Sequence, residues 1–447
     1  MLSKEDNEVL THVGPGTPMG DLMRQYWMPI YLSTDLEKPD NKPHRIKLLH
    51  ENLIVFRNTS GEVGLLSEVC PHRGASLYWS RNEQDGLRCV YHGWKYDITG
   101  QCVDMPSEPA ASNFKDKVHA GAYPCQERNG IVWTYMGPRK TPPPLPELEF
   151  NMLPPEHVVI RRDMQDSNWV QGLEGNIDSS HLSFLHTRLE ATGNAEFYGE
   201  GPATRGLFYN DPAPKMEVTN TDAGVMYAAG RVEEPGKVYW RVTQFLMPFY
   251  GMFAPVSLEE CPLQWWIPLD DNSVMKWDIR WNPSRPIREE EKKSLILEDP
   301  GGWVDWTADA KTHWQLKANA DNEYLNEYDA QLDKRFSGIP SINLQDKAVL
   351  ESMGHIVDRT IEHLGTSDAM IIRTRRRLIN AAIALRDHGT VPPGVDDPQV
   401  YRRRTATAIL DEGVDWQVGA GPYLEAFTDT PVLSAEAQQA SLRVKQS

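Results

Sequence analysis

The sequence predicts an α+β protein of two domains, a β-rich one first and a mixed strand-and-helix one second. Three observations carry this. At 447 residues the chain exceeds what a single hydrophobic core usually organises. From Trp27 to Gly137 short apolar runs such as Leu53-Ile54-Val55-Phe56 and Gly130-Ile131-Val132-Trp133-Thr134-Tyr135 alternate with Gly, Asn and Asp turns, which is the pattern of β-structure. The stretch Pro142-Pro143-Pro144-Leu145-Pro146 can be neither helix nor central strand, so it reads as a linker between the two. The expected domains are 1–150 and 151–447.

Residues 1–26 read as an arm and helix with a turn at Gly14-Pro15-Gly16-Thr17-Pro18. In the second part His157 to Arg162 and Val238 to Phe245 read as strands, and Ala369 to Arg386 as a helix dense in Ile, Leu, Ala and Arg. There is no internal repeat, and the polar end after Leu433 reads as frayed. A composition of 40% hydrophobic and 24% charged residues is that of an ordinary globular chain. The net charge of -17 argues against nucleic acid and anionic membrane surfaces as partners, while leaving room for a local basic pocket. No apolar run approaches the ~20 residues that span a bilayer. The start lacks the charged-then-apolar pattern of a signal peptide, so a cytoplasmic protein is expected.

Five cysteines, at 70, 89, 102, 125 and 261, are too few and too sparse for a disulfide framework. Cys102, Cys125 and Cys261 have no histidine at ligand spacing and read as buried small residues. Cys70-Pro71-His72 and Cys89-Val90-Tyr91-His92 do pair cysteine with histidine, sixteen residues apart. By spacing, such a set holds either one zinc ion or a [2Fe–2S] cluster with two sulfur and two nitrogen ligands. The surroundings distinguish them. Cys70-Pro71-His72-Arg73-Gly74-Ala75 and Cys89-Val90-Tyr91-His92-Gly93-Trp94-Lys95-Tyr96-Asp97 resemble the two ligand loops of Rieske domains in ring-hydroxylating oxygenases. Rieske proteins of respiratory complexes carry an additional cysteine in each loop. Ala75 and Tyr91 stand at those positions here, which points to the oxygenase type.

A second segment, Asp178-Ser179-Ser180-His181-Leu182-Ser183-Phe184-Leu185-His186, brings two histidines near a carboxylate. That composition suggests the two-histidine, one-carboxylate set which leaves positions open at Fe(II) for O₂. Asp178 and His181 would share a helical face, but five residues are roughly 140° around an α-helix. His181 and His186 can therefore meet on one metal only if the helix widens or ends between them. The plain alternative is two unrelated helical histidines. Together with the cysteine loops, the segment resembles the iron-binding stretch of the same oxygenase family. The resemblance implies that His181 and His186 are ligands and that Asp178 bridges the two metal sites. It also implies a distal third ligand, and Asp368 resembles that aspartate as the phthalate 4,5-dioxygenase-like branch has it. Acids at helix starts are otherwise mostly caps, and Asp358 and Glu362 are the fallbacks.

The implied fold is a Rieske [2Fe–2S] β-domain followed by a helix-grip (Bet v 1/START-like) catalytic domain. The implied activity is that of the catalytic subunit of an oxygenase acting on an aromatic carboxylate with O₂. Cis-dihydroxylation comes first, and O-demethylation or another monooxygenation second. The sequence holds no dinucleotide fingerprint, flavin motif or ferredoxin cysteine spacing, so an external reductase must bring electrons from NAD(P)H, and the resemblance implies one of the flavin- and ferredoxin-type. The family forms rings of three subunits, some stacked as hexamers, in which His92 of one copy neighbours Asp178 of the next. Arg241, in the strand-like Val238–Phe245 run, and Arg205 resemble the branch's substrate-binding arginines. Against this, both could be surface residues or pair with Glu217, Glu233 or Glu234. The rival class is a non-catalytic Rieske electron carrier, which leaves His181, His186 and Asp368 without a purpose.

Overall fold

The structure is a computed structural model and describes all residues except 37, 110, 188, 190–210, 256–259, 297–301, 305–313 and 445–447. Arg205 therefore lies outside the described residues.

The chain divides into two compact units, Val13–Leu145 and a second that joins Met1–His12 to Pro146–Ser447. The boundary falls inside the proline run. The expectation that the arm belongs with the first domain needs correction, because the first twelve residues pack with the second unit. Ser3 caps the short helix Lys4–Thr11 by accepting the Asp6 N–H. Leu2 N–H donates to Arg359 O at 3.0 Å, Asn7 Nδ2 donates to Val357 O at 3.2 Å, and Asn168 Nδ2 donates to Thr11 O at 2.9 Å. A polar segment at a chain end gave no periodicity from which those distant partners could be read.

The Val13–Leu145 unit is built of three small antiparallel sheets. Two hold the metal loops. Glu51–Arg57 and Val63–Ser67 belong to a four-stranded sheet, and the chain leaves Ser67 directly into the first cysteine loop. Gly86–Arg88 and Lys95–Tyr96 pair as neighbours, and the second loop is their connection. Ile54, Phe56, Leu66, Leu77, Leu87, Trp94 and Tyr96 form a core on which Cys70 and Cys89 rest.

The second unit carries an eight-stranded antiparallel sheet. Its order is Val158–Gln165, Val274–Trp281, Cys261–Pro268, Tyr250–Met252, Lys237–Leu246, Gly224–Glu234 and Lys215–Asn220. Tyr250–Met252 is too short to pair with the whole of Lys237–Leu246, and Ala406–Asp411 covers the remainder of that edge. In the long Gly224–Glu234/Lys237–Leu246 hairpin, Tyr227 faces Thr243, Ala229 faces Arg241 and Arg231 faces Tyr239. Side chains alternate along a strand, so these residues share one side of the sheet. Ala228, Trp240 and Val242 point the other way, onto Ala406, Ala408 and Trp416.

Two helices pack against the sheet. Trp169–Ile177 starts at Asn168, whose Oδ1 accepts the Val170 N–H, and lies flat on the sheet. Gly172 permits that approach, since a Cβ there would stand 2.0 Å from the Trp266 ring. The expected helix at Ala369 runs to His388, two residues beyond the forecast. Its Arg375 meets Glu174 of the first helix at 2.6 Å. Among the described residues no helix is long and apolar enough to cross a membrane.

Candidate metal centres

The two cysteine loops fold alike. In the first, Cys70 N–H donates to Ala75 O at 2.8 Å and Gly74 N–H to Cys70 O at 3.0 Å. In the second, Cys89 N–H donates to Trp94 O at 2.9 Å and Gly93 N–H to Cys89 O at 2.9 Å. Each loop thus closes on its own cysteine and turns at a glycine with positive φ, 77° at Gly74 and 79° at Gly93, where a Cβ would be strained. The turns bring Cys70 and Cys89 side by side, 2% and 3% exposed. The His72 and His92 rings stand 4.4 Å apart, with His72 stacked on Trp94 at 4.1 Å. Sulfurs thus pair with each other and imidazoles with each other, the layout of two irons with two ligands apiece. A single zinc ion would gather all four donors at once, and among the described residues these four form no such compact set.

Burial pushes the Cys89 thiol up, and the neighbouring Cys70 adds to the effect. Two thiols in an apolar pocket ionise only with a strong cationic centre beside them, which is what a pair of irons would provide. Tyr96 Oη lies 3.3 Å from Cys70 Sγ, and burial together with that contact raises its pKa well above the ordinary phenol range. The histidine side of the site is at the surface, where Val69, Val90 and Tyr91 are exposed. Burial lowers the His92 pKa, as do His72 and Arg73.

The second centre begins where the helix Trp169–Ile177 stops. Asp178 leaves the helix with extended backbone (φ -85°, ψ 131°) and His181 opens a 3₁₀ turn. Asp178 and His181 do not share a helical face, contrary to the expectation from their spacing. The helix ends before either, which frees His186 to come round. His181 Nε2 and His186 Nε2 stand 3.1 Å apart, and Asp346 Oδ1 lies 3.2 Å from His186 Nε2 and 3.8 Å from His181 Nε2. Metal–ligand bonds near ~2.1 Å place adjacent donors about 3 Å apart, so these three atoms fit one face of a single ion. Among the described residues this is the three-donor group within 4.8 Å that could hold a metal.

The acid that the structure brings to the two histidines is Asp346, and the expected Asp368 is not in this group. Asp368 closes the 3₁₀ turn Thr366–Asp368 by accepting the Gly365 N–H at 2.7 Å, and the helix Ala369–His388 follows directly. The fallbacks are engaged elsewhere as well. Asp358 accepts from Thr360, and Glu362 pairs with Arg375. Asp346 stands on the helix Ile342–Ser352, which Ser341 caps. No local signal in the sequence marked it: that this helix buries Asn343, Gln345 and Lys347, more polar groups than a core helix normally hides, shows only in the fold.

Each histidine is held from behind. His181 Nδ1 lies 3.1 Å from Asp178 Oδ2, whose other oxygen accepts the Ser180 N–H at 2.7 Å. His186 Nδ1 lies 2.7 Å from Gln345 Oε1. Burial works to raise the Asp178 carboxyl, but the hydrogen bond and charge of His181 hold it below its ordinary value. Asp346 follows the same logic: burial raises it, while His186, His181 and Lys276 together bring it lower.

Arg241 is 4% exposed, which removes the surface reading, and its Nη2 donates to Ala254 O at 3.0 Å. On the same side of the sheet Tyr227 feels the charges of both Asp178 and Arg241. Its phenol is pushed up to about 12, mainly by burial. Arg231, fully buried, donates to Ser179 O at 3.2 Å. Burial first, and Arg241 next, bring its pKa down to about 10. This wall of the sheet is cationic and adjoins the residues that precede His181.

The chain matches the family described as Rieske [2Fe-2S] domain over residues 26–115, and the one described as LigXa C-terminal domain like over residues 134–438. It is 40% identical to the 3-chlorobenzoate-3,4-dioxygenase oxygenase subunit of Comamonas testosteroni, across 96% of this chain and all of that one. It is 34% identical to the phthalate 4,5-dioxygenase oxygenase subunit of Pseudomonas putida, across 97% of this chain and 98% of that one. Among solved structures, NdmA of Pseudomonas putida CBB5 with caffeine superposes with a TM-score of 0.59 at 18% identity, covering 85% of this chain and 96% of that one.

Proposed function

Since the chain belongs to the Rieske non-haem iron oxygenases, as a catalytic subunit, we propose that it cis-dihydroxylates an aromatic carboxylate in the cytoplasm, with electrons from a separate flavin- and ferredoxin-type reductase. When bound, the [2Fe–2S] cluster and an iron(II) supply one-electron transfer and O₂ activation. Cys70, His72, Cys89 and His92 hold the first, and His181, His186 and Asp346 the second. Asp178 orients His181 and keeps the proton on its Nδ1. In a homotrimer, Asp178 is also the group that His92 of a neighbouring copy would approach.

The substrate class rests on one observation: the guanidinium of Arg241 is buried in the sheet wall that carries Tyr227, itself within reach of Asp178. A carboxylated ring entering an apolar pocket needs its charge paired, and arginine does this with two hydrogen bonds. Both benzoate and phthalate relatives act on substrates of this kind, which supports the same reading here. Arg205 is retained as a second candidate from the sequence.

The test is a panel of benzoates and phthalates with reductase, NADH and labelled O₂. A cis-diol carrying two labelled oxygens is the expected product, and a phenol or a demethylated acid would assign monooxygenation instead. Arg241→Ala should raise KM for the acid by at least an order of magnitude with metal content unchanged. The loss of a buried charge-assisted pair costs roughly 2–5 kcal/mol. An unchanged KM would remove the support for a carboxylate.

A further inference from the structure

We propose that Gln345 is a positioning residue that fixes the tautomer of His186 and so delivers its Nε2 to the mononuclear iron. This rests on the reading of His181, His186 and Asp346 as the metal ligands.

Heavy-atom positions alone locate the proton. Gln345 is 5% exposed, and its amide has one way round, because its Nε2 donates to Ile339 O at 2.9 Å. The atom it presents to His186 Nδ1, at 2.7 Å, is therefore the carbonyl oxygen. A carbonyl oxygen only accepts, so Nδ1 must carry the proton. A neutral imidazole protonated at Nδ1 has its lone pair on Nε2. That is the atom which stands 3.1 Å from His181 Nε2 and 3.2 Å from Asp346 Oδ1.

His181 has a different partner in the same place. There the acceptor behind the ring is the carboxylate of Asp178, at 3.1 Å. Both histidines are presented by the same device, one through an anion and one through a neutral amide. A partner behind a metal-bound imidazole sets its orientation and its basicity, and a carboxylate raises the basicity more than an amide does. His186 is thus the weaker donor of the two, and the site carries one fewer negative charge than a carboxylate pair would give it. Gln345 also precedes Asp346 on the same helix. A single helix therefore supplies one ligand and aims another, so both move together.

The test removes the mononuclear iron from the full-length protein, keeps the cluster, and titrates Co(II) under anaerobic conditions. Gln345→Leu, which has no acceptor, should weaken Co(II) binding by roughly 10–100-fold with an unchanged visible cluster spectrum. Gln345→Glu keeps an acceptor and should bind Co(II) at least as tightly as the native residue. In the Co(II)-loaded protein, proton NMR should show two slowly exchanging imidazole N–H signals, one of which Gln345→Leu loses and Gln345→Glu retains. Native-like binding in Gln345→Leu overturns the proposal. So does a Gln345→Glu protein that binds as weakly as the leucine variant, since that would point to shape and not to the acceptor. If Gln345→Leu fails to fold, Gln345→Glu decides alone: tight binding with both N–H signals supports the role, and lost binding overturns it. If the unmutated protein takes up no Co(II), the ligand reading itself has failed, and the proposal with it.

Discussion

Cys70, His72, Cys89 and His92 lie in two loops that close on themselves by hydrogen bonds between near neighbours. His181 and His186, in contrast, meet an acid that comes from a helix much further along the chain, and even the Gln345 behind His186 is 159 positions away. The first site is a property of short sequence, set on a small core that each loop reaches directly. The second is a property of the folded unit. It exists only when the helix Ile342–Ser352 has docked and the helix Trp169–Ile177 has ended at the right residue. A locally closed site withstands damage elsewhere in the molecule, while an assembled one responds to every contact that seats its helices.

The largest effects come from removing a ligand from each side. Cys89→Ala should abolish the red-brown Rieske spectrum and leave the second unit able to take up iron. Asp346→Ala should abolish turnover and lower iron from three per chain to two, the content of a mere electron carrier, with the spectrum intact. Visible absorption and iron assay read both, and loss of both metals from either variant would show the sites to be dependent. Next comes Asp178→Asn. Both metals should stay, yet turnover should fall by more than the roughly 10–100-fold typical of a lost partner behind a metal-bound histidine. Normal steady-state activity at full metal occupancy would sink the bridging role.

A stability effect is next in size. Glu174, on the helix that ends before Asp178, pairs with Arg359 at 3.1 Å and Arg375 at 2.6 Å. Glu174→Gln takes the carboxylate from the buried Arg359 and leaves Arg375 with Glu362, and should cost the second unit about 3–5 kcal/mol. Burial works to raise the Glu174 carboxyl, but the two arginines bring it below its ordinary value. Its contribution is therefore present above the ordinary carboxyl range and lost as pH falls through the depressed native pKa. Thermal unfolding against pH should show the gap between variant and native protein narrowing in acid. A gap constant with pH would mean that the loss is one of packing. The smallest effect is that of Asp368→Ala, about 1 kcal/mol for the lost hydrogen bond from Gly365 N–H, with mononuclear iron retained. Iron loss there would restore Asp368 to the metal.

The same contrast decides how much could be read from sequence. The cluster loops were legible because ligands, glycines and flanking aromatics are contiguous, and the histidine pair because its segment resembles a known iron-binding stretch, while its spacing alone left two unrelated helical histidines open. Where that interruption falls was not legible, since Asp178 is compatible with either a helix face or a helix end. Asp346 has no local mark: it sits inside the helix Ile342–Ser352, whereas Asp368 ends a Gly-Thr-Ser turn that looks purposeful and bonds back to the Gly365 N–H. The sheet wall was half legible. Alternation put Tyr239, Arg241 and Thr243 on one side, but Arg231 needed the hairpin register to join them.

The placement of the first twelve residues has a consequence for how the chain is made. The helix Lys4–Thr11 leaves the ribosome long before its partner, since Val357, which accepts from Asn7, is 350 residues behind it. The Val13–Leu145 unit is contiguous and can fold as it emerges. The arm must wait, tethered to an already folded body, until Val357 and Arg359 are out. Closing it against Arg359 is then a late step, and the order of synthesis gives the cluster loops their shape before the iron site exists.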